Sequence, residues 1–149
     1  MTNVLVLCTG NSARSVMGEV LINALGKGGW KAYSAGSHPA GQINPLTLEI
    51  LREKGLSTEG LRSKSWDEFA NPDAPKMDLV ITVCDNAAGE VCPIWPGAPR
   101  KIHLGFPDPA AAKGTQAERM AEFRKVYALI EEKVSRLIAL GPDRIGELR

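Results

Sequence analysis

Val4-Leu5-Val6-Leu7-Cys8-Thr9-Gly10-Asn11-Ser12-Ala13-Arg14-Ser15 is the stretch that decides the fold. Four branched apolar residues read as a short buried strand, a Gly/Asn/Ser loop follows at once, and an amphipathic helix opens near Ser15. Cys8 therefore stands where strand gives way to loop. Five residues, Thr9, Gly10, Asn11, Ser12 and Ala13, separate it from Arg14. A loop of that length can curl back, turn successive backbone N–H groups inward, and let the guanidinium close the ring. Together with Ser15 these residues form a cradle suited to a tetrahedral oxyanion.

The electrostatics of such a cradle make Cys8 a candidate nucleophile. An ordinary thiol has a pKa of about 8.5 and is mostly protonated near neutrality, whereas inward N–H dipoles, a helix N-terminus and a neighbouring guanidinium all favour the thiolate. Arg14 would grip two oxygens of the anion in a planar fork, a geometry that lysine lacks. Ser15 would donate to the Cys8 sulfur. A cysteine standing alone at a strand end would simply be a small buried residue; here it is accompanied by Gly10, Asn11, Ser12 and Arg14 in a strand–loop–helix setting.

Working outward, the segments alternate. Val16, Val20, Leu21, Ala24 and Leu25 recur at helical spacing, and Gly26-Lys27-Gly28-Gly29 ends that helix. This Gly/Lys run lacks the upstream strand and the Lys-Ser/Thr pair of a nucleotide-binding loop, so it reads as a turn. Lys31 to Ala35 reads as a second strand, and Gly36 to Gln42 as a turn-rich loop. Asn44-Pro45 caps a helix that runs to Lys54. Ser65 to Phe69 predicts a short helix closed by Asn71-Pro72. Leu79 to Val83 is a strand that ends directly in a second cysteine, Cys84, and Lys101 to Leu104 is a fourth strand. From Ala117 to about Leu140, Met120, Phe123, Tyr127, Ile130, Val134 and Leu137 trace one face of a long helix. The alternation predicts a single α/β domain over residues 1–149, with a four-stranded parallel sheet flanked by helices on both faces. In open parallel sheets ligands sit beyond the carboxyl ends of the strands, so Cys8 and Cys84 would face one crevice.

Composition narrows the function classes. The chain has 149 residues, 44% hydrophobic and 23% charged, which suits one globular core. Eighteen basic against seventeen acidic residues leave a net charge of +1. That balance argues against nucleic acid or an anionic membrane as partner, and any anion must be held locally. The N-terminal apolar run is too short for a signal or a membrane span, which predicts a cytoplasmic protein. Three cysteines, an odd number, argue against a structural disulfide framework. Cys84 and Cys92 do not form a CxxC pair, so no metal is expected, and His38 and His103 read as turn or surface residues.

Two further elements complete the chemistry. A thiolate that attacks an oxyanion must expel an oxygen, which a proton donor assists. Asp108, restrained between Pro107 and Pro109 after the fourth strand, is the candidate acid. Cys84 and Cys92 bracket a polar, small-residue segment, Asp85 to Val91. A thiol arriving from this segment would attack Cys8, reduce the bound species and leave a disulfide, which a third thiol would take over by exchange.

Cys8-Thr9-Gly10-Asn11-Ser12-Ala13-Arg14-Ser15 with Asp108-Pro109 downstream resembles the low-molecular-weight protein tyrosine phosphatase superfamily. Within it, the Cys-Thr-Gly-Asn-Ser opening, the Cys84–Cys92 segment continuing as Pro93-Ile94-Trp95-Pro96, and His103 to Ala110 resemble the arsenate reductases of that fold. The resemblance spans nearly the whole chain. It implies that Cys8 attacks arsenate, with phosphate or sulfate as competing oxyanions, and that Arg14 clamps the anion while Asp108 protonates the leaving oxygen. It further implies that Cys84 attacks Cys8 to release arsenite and that Cys92 takes over the disulfide. No bound cofactor is implied. The reductant would be external, either thioredoxin or glutathione with glutaredoxin. The alternative is a phosphatase that hydrolyses phosphate monoesters through a phospho-cysteine, for which Cys84 and Cys92 are not needed. Relatives that bind potassium beside the loop use residues similar to Asn11 and Glu19 together with an aspartate in the region of Ser63 to Ser65. Lys64 stands in that region here and would supply the positive charge. The tyrosine phosphatases usually carry an aromatic residue where Ala110 follows Asp108-Pro109, and its absence favours a small inorganic substrate.

Overall fold

The computed structural model describes residues 1–83 and 99–147. Cys84 and Cys92 lie outside the described residues. The four strands are β1 (Thr2–Cys8), β2 (Trp30–Gly36), β3 (Leu79–Thr82) and β4 (Arg100–His103), all parallel in the order β2-β1-β3-β4. The helices are α1 (Arg14–Leu25), α2 (Pro45–Glu53) and α3 (Gln116–Leu140). Short 3₁₀ turns occupy Trp66–Phe69, Pro109–Ala111 and Pro142–Glu147.

β1 is buried on both faces, and its alternation divides the core. Val4, Val6 and Cys8 join α1, α2 and α3 in one cluster, with Met17, Leu21, Ile50, Phe123, Ile130 and Leu137 among its buried members. Leu5 and Leu7 face the other way, against Trp66, Phe69, Met77 and Val80. All three described α-helices thus share one face of the sheet. Among the described residues, the helical cover of the opposite face is the 3₁₀ turn at Trp66–Phe69.

The expected strands and helices are present with shifted ends. β4 begins and ends one residue earlier than hydrophobic patterning suggests, because its register with β3 runs from Leu79↔Arg100 to Thr82↔His103. The turns at Pro109–Ala111 and Pro142–Glu147 are not signalled by periodicity. Gly26-Lys27-Gly28-Gly29 is indeed the turn from α1 to β2, with Gly28 at φ 89° and Gly26 against the Trp30 side chain.

The topology places the first loop. The chain winds outward from the middle of the sheet, β1 to β2 on one side and β3 to β4 on the other, so the β1 loop lies at the point where the strand order reverses. In register, Cys8 pairs with Gly36 and Leu7 with Thr82, which aligns the carboxyl ends of all four strands beside that loop.

Candidate active site

Three carbonyls of the loop after β1 are tied away from its centre. The Thr9 carbonyl accepts from the His38 amide at 2.9 Å. The Gly10 carbonyl accepts from the Ala40 amide at 2.9 Å and from Ser63 Oγ at 3.1 Å. The Ser12 carbonyl accepts from the Asn44 amide at 3.1 Å and from Thr47 Oγ1 at 2.9 Å. In a trans peptide the C=O and the following N–H point in opposite directions. Drawing these carbonyls outward therefore turns the N–H groups of Gly10, Asn11 and Ala13 toward the inside of the loop. The residues that hold the carbonyls, from the 38–47 stretch and Ser63, are not marked as functional by the sequence. Among them only Thr47 carries a signal, polar character in a buried place: it is fully buried on the apolar side of α2.

The reversal of direction comes from Asn11, which has φ 47° and is fully buried. Its side chain faces the protein interior. Nδ2 donates to Ser15 Oγ at 2.8 Å and to Ser34 Oγ at 3.0 Å, and Oδ1 accepts from the Lys64 amide at 3.0 Å. Asn11 can therefore serve an anion only through its backbone. Ser15 Oγ accepts from Asn11, so its own proton can be given to another acceptor, as expected toward Cys8. Behind Asn11, Ser34 Oγ donates to Glu19 Oε1 at 2.5 Å, and Lys64 Nζ lies 3.8 Å from the same oxygen. Burial holds the Lys64 ammonium pKa below its usual range, against the opposing pull of Glu19. Asn11 and Ser34 are 23 positions apart, which hides this link from any local reading. Ser34 is signalled only as a buried polar residue within a strand, which must find a partner.

Gly36 is required by close approach. A Cβ there would lie 2.4 Å from the Thr9 carbonyl oxygen and 3.0 Å from that of Cys8. Cys8 itself is buried at 5% exposure at the end of β1.

α1 begins directly at Arg14. Its N-cap, Ala13, makes no side-chain capping bond, and its first turn carries no acidic residue. The first amides of a helix need an outside partner, and an anion is one that they attract. The Arg14 side chain is held by the Phe106 carbonyl, to which Nη1 donates at 3.0 Å. Its Nε is buried and finds no partner among the described residues. An unpartnered guanidinium N–H at this place suits an oxyanion. Asp108 comes from the far side of the sheet: after β4, Leu104 and Phe106 bond back to Thr82 and Val83, which carries Asp108 over the β1 loop. Its Oδ1 accepts from the Ala110 amide at 3.0 Å, and its Oδ2 lies 3.7 Å from Arg14 Nη2. The Asp108 side chain is 44% exposed and that of Arg14 14%. So long and exposed a contact leaves the carboxyl free to turn toward a bound anion.

Cys8 and Arg14 from the first loop and Asp108 from a distant segment are thus gathered at one end of the sheet with the loop Thr9–Ser15. No group of His, Cys, Asp and Glu side chains suited to a metal occurs among the described residues. None of the described helices is long and apolar enough to cross a membrane.

The family model for low molecular weight phosphotyrosine protein phosphatases matches residues 3–146. The chain belongs to this family. Within the phosphatase family, the chain is 38% identical over 136 residues to the arsenate reductase of Bacillus licheniformis, covering 91% of this chain and 94% of that protein. The crystal structure of the arsenate reductase from Archaeoglobus fulgidus superposes with a TM-score of 0.71 at 34% identity, covering 91% of this chain and 98% of that one. A thioredoxin-dependent arsenate reductase of Corynebacterium glutamicum superposes with a TM-score of 0.67 at 26% identity, covering 94% of this chain and 62% of that one.

Proposed function

We propose that the protein is an arsenate reductase, in which Cys8 attacks arsenate held by the loop amides and Arg14. The observation that carries this reading is the buried Cys8 thiol beneath a loop whose carbonyls are tied outward, opposite an unpartnered Arg14 Nε–H, in a chain 38% identical to an arsenate reductase over most of its length.

In the first step a Cys8–S–As bond forms and an As–O bond breaks, with Asp108 giving a proton so that the oxygen leaves as water. The Cys84 thiolate then attacks the Cys8 sulfur. A disulfide forms, the S–As electron pair passes to arsenic, and arsenic leaves as arsenite, reduced by two electrons. Cys92 attacks Cys84 in turn, which frees Cys8 and leaves a Cys84–Cys92 disulfide for an external dithiol. Thioredoxin is the favoured reductant, since a structural neighbour depends on it; glutathione with glutaredoxin is the other candidate. Either belongs to a reducing compartment, which fits the cytoplasm.

Arsenate-dependent NADPH consumption should appear with thioredoxin and its reductase, and the glutathione–glutaredoxin couple is assayed alongside. Silence in both systems would rule out the reductase. A phosphatase reading shares Cys8, Arg14 and Asp108 but needs neither Cys84 nor Cys92. Cys84→Ser should therefore abolish reduction and spare hydrolysis of an aryl phosphate, whereas equal loss of both activities would mean that Cys84 acts on the loop itself.

A further inference from the structure

Lys64 is tied to the oxyanion loop twice. Its amide donates directly to Asn11 Oδ1 at 3.0 Å, and its carbonyl accepts from the Gly36 amide at 2.9 Å, so its backbone joins Asn11 to the end of β2. Its side chain then returns to the same asparagine by a longer route. The ammonium group faces Glu19 Oε1 at 3.8 Å, that oxygen accepts from Ser34 Oγ, and Ser34 Oγ accepts from Asn11 Nδ2. The Lys64 and Glu19 side chains are only 10% and 16% exposed. The other nearby charges are already matched: Arg62 and Glu68 form a two-armed pair at 2.6 and 3.0 Å. Glu19 is therefore left as the counterion of Lys64. The ammonium also donates to the Arg62 carbonyl at 3.1 Å, which fixes it in place.

We infer that Lys64 is a positioning residue whose ammonium keeps the Glu19 carboxylate aimed at Ser34, so that the Glu19–Ser34–Asn11 chain holds the left-handed turn at Asn11 and the inward amides of the oxyanion loop. Without the ammonium, Glu19 is a nearly buried carboxylate that has lost its ion-pair partner, and such a group turns to water. Water is within reach. An open groove of about 440 Å³, lined by Glu19, Asn23, Lys31, Ser57 and Glu59, adjoins the carboxylate. A Glu19 turned into that groove takes away the acceptor of the Ser34 proton. Ser34 then reorients, and the Nδ2 of Asn11 loses one of the two bonds that keep its φ at 47°. Asn11 touches the anion with its backbone, so the consequence of removing Lys64 is weaker oxyanion binding.

This inference rests on the oxyanion-binding reading above, and the experiment separates the two. In a Cys84→Ser/Cys92→Ser background, Cys8 is the remaining thiol, and its alkylation by iodoacetamide is timed against increasing arsenate. Protection of this parent protein establishes the oxyanion site; no protection overturns that reading. Given protection, Lys64→Met should require roughly tenfold more arsenate for half-protection, and Lys64→Arg should restore most of the affinity. Adding Glu19→Gln to the Lys64→Met variant should recover part of the loss, because the uncompensated carboxylate is gone. Half-protection at the parent's concentration in Lys64→Met, equal losses in the Lys64→Met and Lys64→Arg variants, or additive losses in the double variant would each overturn the inference. Thermal midpoints are recorded for every variant without arsenate. Should Lys64→Met fail to fold, Glu19→Gln and Lys64→Arg carry the same comparison: a loss with the first and near-parent affinity with the second supports the inference, and the reverse overturns it.

Discussion

Asn11 holds a backbone conformation, φ 47°, that costs an ordinary L-residue roughly 1–2 kcal/mol, and offsets it with three side-chain hydrogen bonds, two of them buried. Asn11→Ala should therefore destabilise the protein by about 3 kcal/mol in urea unfolding, while Asn11→Gly, which keeps the conformation and loses only the bonds, should cost less. If the alanine and glycine variants unfold at the same urea concentration, the turn is not the strained point. Gly36 makes the complementary case. Gly36→Ala sets a Cβ against the Thr9 carbonyl oxygen, and the backbone must shift at a cost of about 1–3 kcal/mol, with a parallel loss of arsenate protection at Cys8. An alanine variant with unchanged arsenate affinity would show that the loop tolerates the displacement. Cys8, Arg14 and Asp108 could be proposed from the sequence because thiol, guanidinium and carboxyl groups carry their chemistry in the side chain. Ser34, Thr47, Ser63 and Gly36 were not, because each acts on a loop distant in sequence and their residue types are common in turns and strands.

At the level of elements, α3 is the longest and the most clearly bounded. Thr115 accepts from the Glu118 amide at 3.1 Å while Glu118 accepts from the Thr115 amide at 3.2 Å, a reciprocal cap. Thr115→Ala should lower stability by about 1 kcal/mol, equivalent to roughly 2–4 °C in the melting midpoint, with oxyanion affinity unaltered. A drop in affinity would tie α3 to the site more closely than its packing suggests. α1 is the opposite case: its N-terminus lacks a side-chain cap, as suits a helix that opens on an anion. Periodicity located both helices and all four strands, since each has one apolar face or a continuous apolar run. It did not show that the described α-helices share one face of the sheet, because an amphipathic stripe records that a face is buried and not against which side.

For the whole molecule, the central strand order makes the β1 loop, the β2 end, the Lys64 stretch and the Asp108 loop neighbours. One global property is titratable. Tyr127 on α3 is buried against the core and donates to Glu131 at 3.3 Å; burial first, then the Glu131 carboxylate, push its phenol up to about 12. A raised pKa in the folded state stabilises the protein fully below the unfolded value of about 10, and this contribution is lost as pH rises toward about 12. Tyr127→Phe should therefore flatten the fall of the melting midpoint between those pH values. Parallel curves for the two proteins would mean that the phenol titrates normally. By itself the sequence determined the single α/β domain, the strand–loop–helix stretch that carries Cys8 and Arg14, and the family resemblance, because apolar periodicity and a Cys-x₅-Arg spacing are local properties of the chain. Only the tertiary structure decided that the loop carbonyls are drawn outward by residues 38–47 and Ser63, and that Ser34 links Glu19 to Asn11. Those contacts join segments up to 53 residues apart, and hydrogen-bond direction between such segments is set by how the strands and loops pack.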